Sequence, residues 1–277
     1  MSIYDRDLLS GRNKVETAIE RLKMHCAGKK VLCAFSGGKD SQCVYHLLKM
    51  SGIEFDAQYS ITRFEPPELL DFIRKNYKDV SFRRAYKMPL VKEIEQKGLP
   101  SRWFRWCCTA KHTKTEGYDI AAIGIRWAES ARRRMRWNDF GRKEDGTFYC
   151  CPIVDWTDAD VWEFLNGNNI PHCSLYDEGF KRIGCVCCPL SPGKGDEVRW
   201  PKTAAMLKLG FMKYSLREDF KSEKTKELCK KYRTDIDKYF GYWLKYGTTA
   251  EKDALEHDEP CLFAGTGFSE SDGATEE

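Results

Sequence analysis

The chain has 277 residues, of which 42% are hydrophobic and 32% are charged, which is enough for one substantial core and a smaller additional part. No segment approaches the roughly 18 apolar residues of a membrane-spanning helix, and the first residues show neither the apolar run nor the cleavage site of a signal peptide. We therefore expect a cytoplasmic protein without a membrane partner, rather than a membrane or secreted protein.

The charge is distributed unevenly along the chain. The formal net charge is +4, but residues 250–277 contain nine acidic residues and one lysine, so the remaining chain has 45 basic against 33 acidic residues. A basic body suits anionic partners such as nucleotides or nucleic acid. In a reducing compartment, the 13 cysteines are better interpreted as ligands or reactive thiols than as a disulfide framework.

Short β-branched runs alternate with helical patterns in the first part of the chain, which is typical of a parallel sheet flanked by helices. The patterns predict strands at residues 30–35, 54–61, 80–86 and 119–125, and helices at 40–50, 67–77 and 90–97. A further helix should begin after Thr157, which has Asp160 three residues later as in a capping box, and should end at Gly167.

The C-terminal part of the sequence has a different character. Residues 201–246 show a helical pattern with many lysines, and the last segment is acidic and rich in glycine and serine. We therefore predict an α/β domain at residues 1–196, a small helical appendage at 197–249 and a disordered acidic tail at 250–277.

A glycine-rich stretch, FSGGKDSQ at residues 35–42, separates the first predicted strand from the first predicted helix. In that position backbone N–H groups and the helix N-terminus form an anion site, and Lys39 adds a positive charge. The stretch is not a Walker loop, because Asp40 follows the lysine where serine or threonine is required. A tight turn that merely contains lysine is the alternative, but the strand before it and the helix after it favour a nucleotide site.

Two pairs of cysteines form a second group. Adjacent Cys107 and Cys108 in RWCCTAKH are followed much later by Cys185 and Cys188 in RIGCVCCPL. Four thiolates suit zinc or an iron–sulfur cluster, because both accept soft ligands, but a tandem pair is unusual for zinc. A second tandem pair at residues 150–151 is the rival, although small buried cysteines on a strand are common.

Several motifs resemble those of one family, in the same order. SGGKDS is similar to the PP-loop of ATP pyrophosphatases, and the CC and GCxxC cysteines resemble the 4Fe-4S site of assimilatory adenylyl-sulfate reductases. GIRWAESARRR, PIVDWTDADVW and IPHCSLYDEGFKRIGC are similar to further motifs of those reductases. These segments are distributed over residues 30–190. On them, the chain is identified as a member of the phosphoadenylyl-sulfate (PAPS) reductase family in the PP-loop superfamily.

The resemblance implies a fold, cofactors and site residues. It implies a Rossmann-like parallel sheet of the adenine nucleotide alpha-hydrolase type, with ATP, magnesium and a 4Fe-4S cluster as cofactors. Lys39, Asp40, Arg126 and Arg133 would be catalytic, with the two arginines holding the phosphate and sulfate of a sulfonucleotide. The residues expected to bind the nucleotide are Ser36, Gly37, Gly38, Lys39, Asp40 and Ser41, and those expected to hold the cluster are Cys107, Cys108, Cys185 and Cys188.

The sequence also departs from the resembled reductases. Those enzymes typically lack the lysine of the loop, because their substrate has no pyrophosphate, whereas Lys39 is present here. Their CCxxRK motif becomes CCTAKH, and the tail whose cysteine attacks the sulfate sulfur has only a poor counterpart around Cys261. These departures favour adenylation of an acceptor, followed by transfer of sulfur from a sulfur donor.

Two alternative functions stay open at this point. One is a reductase that acts on adenylyl sulfate or its phosphorylated form, uses a thioredoxin-like reductant and releases sulfite. The other is a nucleic-acid-binding module in which the cysteine site is structural and the basic stretch ARRRMRW at residues 131–137 contacts single-stranded nucleic acid.

Overall fold

The computed structural model describes residues 2–7, 10–102, 104–111, 115–143, 146–190, 195–220 and 223–246. Within these ranges the strands are β1 Val31–Ala34, β2 Phe55–Ile61, β3 Val80–Arg84, β4 Ile120–Ala122, β5 Phe140–Arg142 and β6 Phe148–Cys150. The helices are α1 Lys14–Cys26, α2 Lys39–Ser51, α3 Pro67–Asn76, α4 Leu90–Lys97, α5 Trp106–Lys111, α6 Ala131–Arg136, α7 Asp158–Gly167, α8 Asp196–Arg199, α9 Pro201–Ser215, α10 Glu223–Tyr232 and α11 Ile236–Tyr246. Short 3₁₀ helices lie at Trp127–Glu129 and Ser174–Tyr176.

The strands form one sheet in the order β3-β2-β1-β4-β6-β5. Strand β1 pairs in parallel with β2 and β4, β4 pairs in parallel with β6, and β5 is antiparallel to β6. The predicted α/β class, a mostly parallel sheet flanked by helices, is therefore confirmed. From β1 the chain moves outward to β2 and β3 and then returns to β4 on the other side of β1. In open α/β sheets, ligands bind beyond the carboxyl ends of the strands at such a reversal.

Helix α2 begins directly after the glycine-rich loop. Its N-cap is Gly38, which has an extended backbone (φ −79°, ψ 159°), and its C-cap is Gly52, which has a left-handed backbone (φ 73°). Cys43, Val44 and Leu47 lie on one face of the helix and are buried, as the helical spacing predicts. The packing of this face holds the start of α2 at the carboxyl end of β1.

Helix α7 begins with the predicted capping box. The Thr157 hydroxyl accepts a hydrogen bond from the Asp160 backbone N–H at 3.2 Å, and the Asp160 carboxylate accepts one from the Thr157 backbone N–H at 2.7 Å. Asp160 also pairs with Lys14 of α1 at 2.5 Å. The helix ends at Gly167, as predicted. These contacts fix the position of Asp158, the first residue of α7.

The described residues fall into two compact units. Unit 1 comprises those within Met1–Ile61, Pro67–Arg83 and His112–Ile183, and unit 2 comprises those within Thr62–Pro66, Arg84–Lys111 and Gly184–Glu277. The domain limits predicted at residues 196 and 249 stay predictions, and the predicted acidic tail lies outside the described residues. Nowhere in the described ranges is a helix both long enough and apolar enough to cross a membrane.

Unit 2 is built around the helices predicted between residues 201 and 246. Gly210 lets α9 approach α4 closely, because a Cβ atom there would lie 2.7 Å from the Cβ of Ile94. The indole N–H of Trp243 on α11 donates to the Pro100 carbonyl at 2.6 Å. The C-terminal helices therefore support the segment that leads into α5, which carries the first cysteine pair.

Candidate functional site

The loop after β1 has a shape that its small residues impose. Gly37 has φ 72°, and a Cβ atom there would lie 2.6 Å from the side chain of Ile73, so both backbone conformation and space require glycine. The hydroxyl of Ser41 accepts hydrogen bonds from the amide and hydroxyl of Ser36, both at 3.1 Å, and donates to the Gly38 carbonyl at 2.8 Å. The two serines thus close the loop on itself at the start of α2.

A second glycine brings the segment after β4 against this loop. At Gly124 a Cβ atom would lie 2.9 Å from the backbone carbonyl of Asp40, so a larger residue would push the two segments apart. The strand predicted to run to residue 125 ends at Ala122 because the following residues turn toward the loop. This close approach places Arg126, two residues later, within hydrogen-bond distance of Asp40 in the loop.

Lys39 is the first residue of α2, and its side chain is buried and makes polar contacts with other residues. The ammonium pairs with Asp158 Oδ1 at 3.1 Å and donates to the Lys181 carbonyl at 3.0 Å. It also lies 5.7 Å from the ring centroid of Tyr176, whose hydroxyl accepts the Lys39 backbone N–H at 3.0 Å. Burial raises the pKa of Tyr176 to about 12, so this hydroxyl stays protonated at neutral pH.

Arg126 is buried and contacts two carboxylates. Its Nε donates to Asp40 Oδ1 at 2.5 Å and its Nη2 donates to Asp158 Oδ1 at 3.0 Å. Burial lowers the pKa of Arg126, but attraction by Asp40 and then Asp158 outweighs burial and raises it overall. We call Lys39, Asp40, Arg126 and Asp158 the ion-pair network, because two cations and two anions alternate in it.

Arg133 is linked to this network by one residue, Glu129. It lies on α6, which Ser130 caps by accepting the Arg133 backbone N–H at 3.2 Å. The guanidinium of Arg133 donates to Glu129, and the same Glu129 oxygen accepts the backbone N–H of Arg126 at 3.2 Å. The structure therefore pairs Arg126 with Asp40, links Lys39 to Arg126 through Asp158, and links Arg133 to Arg126 through Glu129.

Sequence reasoning missed two of these residues. No spacing in the sequence relates Asp158, at the start of α7, to Lys39, 119 positions earlier in the numbering. Glu129 lies inside the GIRWAES stretch, so the motif itself was the signal that could have identified it. Both residues supply carboxylates that hold the cations of the site.

The four predicted cysteine ligands all lie in unit 2 and are half-buried. Cys107 and Cys108 lie on α5, and the backbone N–H of Val186, between the other two cysteines, donates to the Phe64 carbonyl at 2.5 Å. The ammonium of Lys111 lies 3.8 Å from Cys185 Sγ. The structure thus places a lysine beside this group of thiols, at the position where the resembled motif has arginine.

The thiols differ in how readily they lose a proton. A hydrogen bond from Cys107 is the main cause that lowers the pKa of Cys108 to about 6, whereas the same bond and then burial raise the pKa of Cys107. Burial raises the pKa of Cys185 to about 11. Burial lowers the pKa of Lys111, but attraction by Cys185 and other anionic neighbours raises it overall. The site therefore combines one readily formed thiolate with a fixed positive charge.

The four thiols differ from the ligand set of a site for a single metal ion. The charges of Cys108, Cys185 and Cys188 raise the pKa of Cys107, so the four thiols lie near one another. In the part of the chain that the structure describes, however, no three His, Cys, Asp or Glu side chains converge tightly enough to hold a single metal ion. A four-iron cluster is larger than one ion, so its thiolates stand farther apart, and this soft, all-sulfur donor set is compatible with it.

Two buried polar atoms in unit 2 have unused hydrogen-bonding capacity that a group bound near these thiols could satisfy. Within the described ranges, Glu65 Oε2 and Trp106 Nε1 lack a hydrogen-bond partner. Trp106 directly precedes Cys107, and the carboxylate of Glu65 is one of the charges that raise the pKa of Lys111. Leaving such an atom buried and unpaired costs about 1–3 kcal/mol, and a group with its own donors and acceptors would remove that cost.

The other cysteines lie in the protein interior. Cys150 and Cys151 are fully buried, and Cys151 packs with Tyr149 and Val154. Cys187 is also buried, has φ 54°, and donates its backbone N–H to Asp196 at 2.8 Å. Burial raises the pKa of both Cys151 and Cys187 to about 12. These positions favour structural roles for Cys150, Cys151 and Cys187.

Comparison with known families assigns the chain. Residues 30–191, more than half of the chain, match the model of the phosphoadenosine phosphosulfate reductase domain. The chain belongs to this PAPS reductase family. The resemblance drawn from the separate motifs is thereby confirmed, and the matched segment includes the glycine-rich loop, both arginines and all four half-buried cysteines.

The relatives differ in name and in length. The chain is 37% identical over 175 residues to an adenosine 5'-phosphosulfate reductase of Oceanobacillus iheyensis. The aligned segment covers 58% of this chain and 72% of that protein. It is 30% identical over 233 residues to an uncharacterized protein of Methanocaldococcus jannaschii, which covers 74% of this chain. The chain spans 46% of that relative, so it is similar to less than half of the longer protein.

One solved structure with a cluster also aligns with this PAPS reductase-family chain. It is the U34-tRNA thiolase of Methanococcus maripaludis with its [4Fe-4S] cluster, at 14% identity and a TM-score of 0.45, covering 76% of this chain and 84% of that chain. At this identity and TM-score the likeness carries no inference about function.

Proposed function

We propose that this PAPS reductase-family chain binds ATP at residues 35–42, cleaves it between the α and β phosphates to adenylate an acceptor, and uses a 4Fe-4S cluster in sulfur transfer. The observation that carries the proposal is the position of Lys39. It begins α2 behind two glycines and shares Asp158 with Arg126, at the carboxyl ends of β1 and β4. This is where sheets of this topology bind nucleotides.

The loop supplies the groups that a polyphosphate needs. Backbone N–H groups at the start of α2 point toward the loop, where the helix dipole favours negative charge. Lys39 and Arg126 add two full positive charges beside it. ATP has β and γ phosphates that would engage these charges, whereas adenylyl sulfate has none. The retained lysine therefore favours ATP as the substrate.

The reaction would proceed by substitution at the α phosphorus. An acceptor oxygen forms a bond to this phosphorus, and the bond to the bridging oxygen breaks so that pyrophosphate leaves with the electron pair. Lys39 and Arg126 would stabilise the charge that develops on the leaving group. Asp40, which is partly exposed beside Arg126, would hold magnesium, which supplies further charge neutralisation when bound.

The second half of the proposed function belongs to the cysteine site. Cys107, Cys108, Cys185 and Cys188 would hold the 4Fe-4S cluster, which when bound supplies a site for sulfur or for electrons. Lys111 would offset the negative charge of the ligating thiolates. A sulfur nucleophile from a separate donor would then attack the adenylated carbon of the acceptor, and AMP would leave.

A thioredoxin-dependent sulfonucleotide reductase is the second candidate function. It is favoured by the 37% identity to the Oceanobacillus iheyensis adenosine 5'-phosphosulfate reductase. In this reading Arg126 and Arg133 would bind the phosphate and sulfate of the sulfonucleotide. Lys39 and its contacts would then have no phosphate beyond the α position to bind.

The nucleic-acid-binding alternative has less support. The described chain exposes Arg132 and Arg134 on α6, which would suit a polyanion. The two sequence relatives described above, an adenosine 5'-phosphosulfate reductase and an uncharacterized protein, carry no name that indicates nucleic-acid binding. It therefore stays a prediction from the basic stretch alone.

Exchange between ATP and labelled pyrophosphate tests the proposed function. Adenylation is reversible while pyrophosphate is present, so we expect label to enter ATP when magnesium and a cell-extract fraction that contains the acceptor are supplied. A sulfonucleotide reductase would show no such exchange under any supply of acceptor. Exchange that is absent in every fraction, together with sulfite release from adenylyl sulfate, would favour the second candidate.

A further inference from the structure

The carboxylate of Asp158 is shared by both cations of the ion-pair network. Its Oδ1 atom lies 3.1 Å from Lys39 Nζ and 3.0 Å from Arg126 Nη2. The side chains of Lys39 and Arg126 are 6% and 4% exposed, whereas that of Asp158 is 61% exposed. One oxygen of a largely exposed carboxylate therefore contacts two nearly buried positive charges.

The two cations require a counter-charge at this point. Lys39 and Arg126 repel each other and have lost most of their hydration, and buried charges are tolerated only when they are paired. Asp40 pairs with Arg126, but Asp158 pairs with both cations. Asp158 therefore provides the charge that lets Lys39 and Arg126 lie side by side.

An anionic ligand of the loop would need the same donors. A phosphate oxygen binding to both Lys39 and Arg126 would meet the carboxylate of Asp158 at like charge and close range. Asp158 is the first residue of α7, where an aspartate remains favoured by the helix dipole even when its side chain turns to solvent. Its backbone stays fixed, because the capping box of Thr157 and Asp160 does not involve Asp158.

We propose that Asp158 is a specificity-determining residue that holds the place of an anion between Lys39 and Arg126 in the nucleotide-free protein and is displaced when a phosphate of the nucleotide binds. This inference rests on the proposed nucleotide site and adds the residue that sets its affinity. Because the carboxylate must be displaced, the highly charged β and γ phosphates of ATP compete better than the singly charged sulfate group of adenylyl sulfate. Asp158 thereby favours substrates with phosphates beyond the α position.

The test measures the binding of inorganic pyrophosphate without magnesium, by calorimetry, to the full chain and to Asp158→Asn. Removing the competing charge should raise the affinity for pyrophosphate by about tenfold. This is the factor expected if, in the wild type without ligand, the Asp158 carboxylate is away from Lys39 and Arg126 in about a tenth of the molecules. Without ligand the variant should melt at a lower temperature, because Lys39 and Arg126 lose their shared partner, and pyrophosphate should raise its melting temperature more than that of the wild type.

Asp71→Asn is the matched control. Asp71 lies on α3 in the same unit, is 77% exposed and pairs with Arg74 at 3.2 Å, so its replacement makes the same change of charge away from the network. We expect its affinity for pyrophosphate to equal that of the wild type. A tenfold rise in this variant as well would overturn the inference, because it would reflect net charge alone.

The remaining outcomes separate this inference from the proposed function. Wild-type binding of pyrophosphate with equal or weaker binding to Asp158→Asn would overturn the role of Asp158 and leave the nucleotide site standing. Loss of ATP binding by Asp158→Asn only when magnesium is present would show a metal ligand and would also overturn it. Failure of the wild type to bind either pyrophosphate or ATP would overturn both.

Discussion

Serine in place of Cys107, Cys108, Cys185 or Cys188 is expected to abolish the proposed iron–sulfur cluster in protein purified without oxygen. The wild type should contain roughly four iron atoms and four acid-labile sulfides per chain and be brown. Each serine variant should lose most of both, because a hydroxyl is a poor replacement for a soft thiolate. Iron and sulfide assays and the visible absorption spectrum measure the effect.

The control for these variants is a cysteine outside the proposed ligand set. Cys151→Ser alters a buried thiol in unit 1 and should keep the iron and sulfide content of the wild type. Loss of the cluster from Cys151→Ser or Cys150→Ser, with retention in the other four variants, would show that the other tandem pair ligates. Stoichiometric zinc without labile sulfide in fresh anaerobic protein would contradict the cluster altogether.

Lys39→Ala is expected to slow ATP–pyrophosphate exchange by about 100-fold, the typical cost of removing one donor that stabilises charge in a transition state. The fold should survive, because the partner left behind, Asp158, is well exposed and can turn to solvent. Lys49→Ala is the matched control, since Lys49 lies on the same helix and pairs with Asp79 at 2.9 Å. An exchange rate that falls equally in both variants would assign the loss to α2 rather than to the loop.

The parts of the fold that were predicted from sequence are those with local signals. The α/β class follows from alternating strand and helix patterns, and α4 begins at Leu90 and ends at Lys97 as predicted. The start of α7 follows from the spacing of Thr157 and Asp160. Strands β5 and β6, with three residues each, are too short for a periodic pattern, so the antiparallel edge of the sheet was not predicted.

The candidate site shows a similar limit. The glycine-rich loop and the cysteine pairs are visible in the sequence because their residues are adjacent and of unusual type. The contact between Arg126 and Asp40 joins residues 86 positions apart, and it depends on the close backbone approach at Gly124. The bridging role of Asp158 depends on how α7 packs, which no local pattern encodes. Ion pairs of this kind emerge only when the sheet topology is known.

The relative affinity of the wild-type protein for ATP with magnesium and for adenylyl sulfate distinguishes an adenylating enzyme from a sulfonucleotide reductase. Because Lys39 and Arg126 would engage phosphates that adenylyl sulfate lacks, we expect ATP to bind at least about tenfold more tightly, a difference of about 1.4 kcal/mol. Equilibrium binding of both nucleotides to the same preparation measures this ratio. Tighter binding of adenylyl sulfate, with sulfite released when thioredoxin is supplied, would instead show that the protein is a sulfonucleotide reductase.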